Sequence, residues 1–150
     1  MISLSGGYIL LKALNQYDTR ILMLLSIFSL LPDLDHFIGQ KIPILHNLSI
    51  ILLLLAASII LYKKKQITHA NYLITLTVML TGHLLMDMVG GLYGIPLLYP
   101  LNSELILMPA GWDKTLPWDD TSNIISRLGI AMLLYYGLVF SVSSLLAERR

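Results

Sequence analysis

The chain is expected to be all-α: a small transmembrane bundle of about four helices with a long extracytoplasmic loop between the third and the fourth. Three observations lead there. The composition is 56% hydrophobic and only 13% charged, about half the charge that clothes an ordinary soluble domain. The mean hydropathy is +0.74. And the apolar residues come in long runs, separated by short polar segments, rather than in the alternation of half-buried strands.

The elements follow in order. Ile21–Leu31 is an apolar run of 11 residues, covering about half a hydrocarbon core at roughly 1.5 Å per residue. Either this first helix extends back through Tyr8–Thr19, or that stretch lies along the interface and the first span is partial. Pro32 stops the helix, because its ring disfavours helical geometry at Leu31 and removes an amide donor. Leu48–Tyr62 is apolar for 15 residues and reaches spanning length from about Ile44. Tyr72–Met88, with 17 residues, carries His83 and Asp87 in its last turns. Leu128–Ala147 is the fourth helix, after the Gly- and Pro-rich connection Val89–Asn123, and Asp119-Asp120-Thr121-Ser122 reads as its capped start. No small-residue cleavage site follows Leu31, so removal of a leader is not expected. At 150 residues, residues 1–150 form a single integral membrane domain.

Charge sets the orientation. Placing the N-terminus, the loop 62–71 and the C-terminus on one side gathers Lys12, Arg20, Lys63, Lys64, Lys65, Arg149 and Arg150 there, seven of the ten cations. By the positive-inside rule both termini are cytoplasmic, in a multi-pass protein of the cell membrane. The Lys63–Lys65 run is then an anchor against anionic lipid. A net charge of +1 gives no reason to expect nucleic acid as a partner. Without cysteine, neither disulfides nor thiolate ligands are available.

Three polar motifs interrupt the apolar runs: Pro32-Asp33-Leu34-Asp35-His36, then His46-Asn47, then His83 with Asp87. Carboxylates and imidazoles at membrane depth are costly unless they pair or bind a cation. In an up-down bundle, the end of the first helix, the start of the second and the end of the third meet at one extracytoplasmic face. His83 and Asp87, four residues apart, share a helix face and suit capture of one metal. A cap explains one carboxylate after Pro32, but not two carboxylates and an imidazole within four residues. Mixed oxygen and nitrogen donors suit Zn²⁺, with Mn²⁺ or Fe²⁺ also compatible.

The expected metal ligands are Asp35, His36, His46, His83 and Asp87. Asp33 or His46 is the expected proton acceptor, with Lys41 and Asn47 in substrate binding, Lys41 as a point charge for phosphate. His69 lies on the opposite face and has no assigned role.

The order Pro-Asp-Leu-Asp-His, then His46 opening the next helix, then His83 and Asp87 followed by Gly and a distal Pro, resembles the small membrane-bound metal-dependent hydrolases of the YdjM type. The likeness runs from about Leu31 to Pro100. It departs at Lys41-Ile42, where that family has His-Arg, and in having no His before His36. The resemblance implies an integral membrane protein with a divalent-metal hydrolytic site. Chemistry and resemblance agree on metal-assisted hydrolysis; the expected position of the site at the outer leaflet boundary points to an ester or phosphoester of a lipid-like substrate, with membrane lipid as partner. The alternative is a non-enzymatic protein in which a metal, or hydrogen-bonded polar pairs alone, tie the helix ends together.

Overall fold

A computed structural model describes residues 2–34, 45–90, 96–99, 101 and 127–147. Five α-helices stand among them: α1 (Ile2–Ala13), α2 (Thr19–Ser29), α3 (Leu48–Lys63), α4 (Ile67–Gly90) and α5 (Arg127–Ala147). A single 3₁₀ turn, Leu31–Asp33, follows α2. The all-helical expectation holds, with one helix more than the sequence suggests.

The extra helix arises at the N-terminus. The first helix does not run back through Tyr8–Thr19. Instead α1 closes at Ala13 and a new helix begins at Thr19. Asn15 takes a left-handed backbone (φ 52°). The Asn15 and Gln16 amides then donate to the Lys12 and Leu11 carbonyls at 3.0 and 2.9 Å, the paired bonds of a Schellman stop. Asp18 restarts the chain by accepting from the Arg20 amide at 2.7 Å. A second stop of the same kind joins α3 to α4. Lys65 has φ 61°, and the Lys65 and Gln66 amides donate to the Tyr62 and Leu61 carbonyls, each at 3.0 Å.

Helix α4 is the centre of the bundle and packs against α1, α2, α3 and α5. On one side Leu76, Met79 and Leu80 meet Leu11, Leu22 and Leu25. On the other, Val78 joins Leu10, Tyr135 and Val139. The hydroxyls of Thr75, Thr77 and Thr81 donate to carbonyls one turn back in α4, at 2.7–2.9 Å. Each is thereby satisfied within its own helix, which lets threonines sit in an apolar bundle.

Among the described residues, no helix is both long and apolar enough to cross a membrane. The expected spans are present as helices at Leu48–Lys63, Ile67–Gly90 and Arg127–Ala147, but the transmembrane part of the expectation is not met by length and apolarity. Helix α3 is wholly apolar in its middle yet only 16 residues long, roughly 24 Å against a core of about 30 Å. Helix α4 has 24 residues but includes His69, Asn71, three buried or half-buried threonines, His83 and Asp87. The outer surface is nevertheless strongly apolar, with Met23, Ile27, Leu53, Leu133 and Phe140 all more than 60% exposed. The connection between α4 and α5 lies largely outside the described residues.

Candidate metal centre

Three chain segments bring four donor side chains to one end of the bundle. The first is the stop after α2. That helix ends at Ser29, and buried Pro32 enters the 3₁₀ turn, where its missing amide costs nothing. The Asp33 amide donates back to the Leu30 carbonyl at 3.0 Å, fixing the turn that carries the Asp33 carboxylate.

The second segment precedes α3. The Leu48 amide donates to the Leu97 carbonyl at 2.8 Å, and the Ser49 hydroxyl to the Tyr99 carbonyl at 2.8 Å. This ties the start of α3 to the 96–99 turn and leaves His46 only 2% exposed. Asn47 is buried and caps α3, its Oδ1 accepting from the Ile50 amide at 3.2 Å. The third segment is the end of α4, where His83 and Asp87 stand one turn apart.

The atoms converge closely. His83 Nε2 lies 3.2 Å from Asp87 Oδ2 and 3.2 Å from Asp33 Oδ1. His46 Nε2 lies 3.2 Å from Asp87 Oδ2 and 3.9 Å from Asp33 Oδ1. The two imidazole rings are 5.7 Å apart, inclined at 37°. One donor atom from each of the four residues falls within 4.8 Å of all the others. Donors about 2.0–2.1 Å from a tetrahedral ion stand roughly 3.3–3.4 Å from one another, so three of the four measured edges are within about 0.2 Å of that spacing.

Hydrogen bonding does not account for the arrangement. His83 Nε2 and Asp87 Oδ2 are both buried, and among the described residues neither has a hydrogen-bond partner despite their 3.2 Å approach. Leaving a buried donor and acceptor unsatisfied costs on the order of 1–3 kcal/mol each. Two such atoms pointed at a common space fit a shared cation better than they fit each other. The donor chemistry agrees, with two imidazole nitrogens and two carboxylate oxygens.

The site is closed on one side and open on the other. His46 and His83 are 2% and 11% exposed, whereas the Asp87 and Asp33 side chains are 33% and 41% exposed. Asp33, expected from the sequence as a proton acceptor, has a carboxylate oxygen in the same cluster as the other three donor atoms and is the most exposed of the four side chains. The expected ligands Asp35 and His36 and the expected phosphate contact Lys41 lie outside the described residues. His69 is exposed at the far end of α4, beside Tyr72.

A family model described as YdjM inner membrane protein matches residues 2–146. No curated protein and no solved structure matches the chain.

Proposed function

The chain belongs to the YdjM inner membrane protein family, and on that premise we propose that it is a metal-dependent hydrolase of the membrane, cleaving an ester or phosphoester of a lipid-like substrate. The observation that carries this reading is the convergence of His46, His83 and Asp87 beneath an exposed Asp33, with His83 Nε2 and Asp87 Oδ2 buried and unsatisfied. Two imidazoles and one carboxylate are the protein ligands of a catalytic zinc site that keeps a position open.

His46, His83 and Asp87 would hold a divalent ion, Zn²⁺ fitting best and Mn²⁺ or Fe²⁺ also compatible. When bound, such an ion polarises the scissile group and lowers the pKa of water. Asp33 faces the open side, within reach of the same point, and accepts the proton as general base. Burial of His46 and His83 keeps water away from the back of the site and strengthens its electrostatics. Asn47 holds the start of α3, and with it His46, in place.

Membrane placement rests on the family description and on the apolar outer surface of the bundle. The cation distribution supports cytoplasmic termini, with the site at the extracytoplasmic face. Lys41 remains the candidate contact for a phosphate, and Asp35 and His36 remain candidate further ligands.

The test separates the roles. Purified protein is assayed for metal content and for chelator-sensitive turnover of lipid esters and phosphoesters. Asp33→Asn is expected to retain the metal and lose turnover. His83→Ala is expected to lose both. Wild-type protein that carries no metal, or turnover that persists in Asp33→Asn and His83→Ala alike, refutes the assignment.

A further inference from the structure

A groove of about 560 Å³ runs between α2, α3 and α4 with a wholly apolar wall. Ligand pockets fall in the same size range, roughly 300–1,000 Å³. One end of it adjoins the metal centre. Pro32 and Leu45 line that end, and they are the chain neighbours of Asp33 and His46. Leu80 lines it one turn below His83. The other end is walled by Ile21 at the start of α2 and by Tyr72 and Leu73 near the start of α4. Ten residues of helix separate Leu73 from His83, a distance of about 15 Å.

We propose that this groove is the chain-binding site of the enzyme's substrate, and that one hydrocarbon chain of a lipid lies along α4 with its head at the metal centre. The inference rests on the hydrolase reading of that centre and adds to it the part of the substrate that the protein grips. The wall and its position choose the occupant. Among the described residues the groove presents no polar surface, so it suits hydrocarbon and excludes a sugar or an extended peptide, whose hydrogen-bonding groups would be buried without partners. Its end at Pro32 and Leu45 abuts the polar side chains of Asp33 and His46, the apolar-to-polar order of a single amphiphile. Because the groove begins at Pro32 and Leu45, a chain seated in it presents the bond nearest its head to Asp33 and His46.

The experiment uses the full-length, metal-loaded protein in detergent and has two arms. In the first, p-nitrophenyl acyl esters (acetyl to palmitoyl) and alkyl p-nitrophenyl phosphodiesters (methyl to hexadecyl) are compared. In the wild type, kcat/KM is expected to climb with chain length, by up to roughly tenfold for two added methylenes. Leu24 is half-exposed and Leu73 half-buried on the groove wall, so Leu24→Trp and Leu73→Trp fill the groove from its edge. Both are expected to flatten the series while leaving the shortest substrate and the metal content unchanged. Leu54→Trp, half-buried on the α3 wall of the groove, replaces either one that fails to fold.

In the second arm a palmitic acid analogue with a terminal diazirine is photolysed with the protein. Saturable labelling of residues 21–25 and 72–76, suppressed in Leu24→Trp, is the expected result. Turnover indifferent to chain length, or labelling unaffected by the tryptophans, overturns the groove while sparing the hydrolase. Saturable, Trp-sensitive labelling without turnover of any substrate supports the groove and removes the hydrolase reading instead.

Discussion

The ring of Tyr135 lies directly against Gly82, so closely that a Cβ on Gly82 would stand within van der Waals overlap of the ring carbons. Gly6 of α1 flanks the same ring, and the Tyr135 hydroxyl donates to the Ser3 carbonyl at 3.3 Å. Three helices are thus locked together at the level of His83, the next residue of α4. The depth at which His83 stands is set by this contact as much as by its own helix.

Gly82→Ala is therefore expected to destabilise the protein by about 1–3 kcal/mol through overpacking and to weaken metal binding by displacing His83. A smaller partner at the ring should relieve it. The double variant with Tyr135→Ala is expected to show a coupling of more than ~0.5 kcal/mol. Thermal or denaturant melts in detergent of the two single variants and the double give the answer, and additive effects would contradict the contact.

Removing a donor distinguishes an ion site from a polar cluster. A partner that merely supports a ligand costs roughly 10–100-fold in metal affinity when lost. Asp87→Ala and His83→Ala are expected to exceed that range, measured by competition with a chelating dye. Without a metal, deleting a buried atom that has no partner would relieve desolvation and raise stability. A melt in the presence of chelator, with and without the substitutions, reads out that opposite sign.

Acidification is expected to release the ion. An imidazole ligates only through an unprotonated nitrogen, so with His46 and His83 as the proposed ligands protons compete with metal and apparent affinity falls as pH falls. Stability contributed by the metal is then present at neutral and higher pH and lost on the acid side. Calorimetric titration in buffers of differing ionisation enthalpy counts the protons released on binding. Affinity that does not fall on acidification would exclude imidazole ligands.

Lys65 is a β-carbon-bearing residue held at φ 61° in the stop between α3 and α4. Left-handed backbone costs an ordinary residue roughly 1 kcal/mol that glycine does not incur. Lys65→Gly is expected to raise stability by up to about that amount with no effect on metal binding, since the turn lies at the end of α4 away from His83. A loss of metal in this variant would show that the two ends of α4 are coupled.

Much of the site was legible in the residues alone. Asp33, His46, His83 and Asp87 each stood out as a polar side chain against apolar neighbours, where an unpaired group is expensive. Their roles were less legible. Asn47, expected in substrate binding, caps α3, a local function that the same Asx chemistry serves as readily as ligand contact. The break between α1 and α2 was hidden because no proline or glycine marks it. Asn15 in a left-handed backbone and Asp18 as a cap do the work instead.

Composition and spacing by themselves determined an all-helical apolar chain, a stop at Pro32, and a histidine and an aspartate on one face of a helix. These follow from local rules, namely hydropathy, ring geometry and a 3.6-residue repeat. Only the tertiary structure decided that Asp33 and His46 reach that face, each 3.2 Å from one of its donors, and that an apolar groove opens beside them. Distances between segments are fixed by how helices pack, here by Tyr135 seated between Gly6 and Gly82, and no local pattern encodes them.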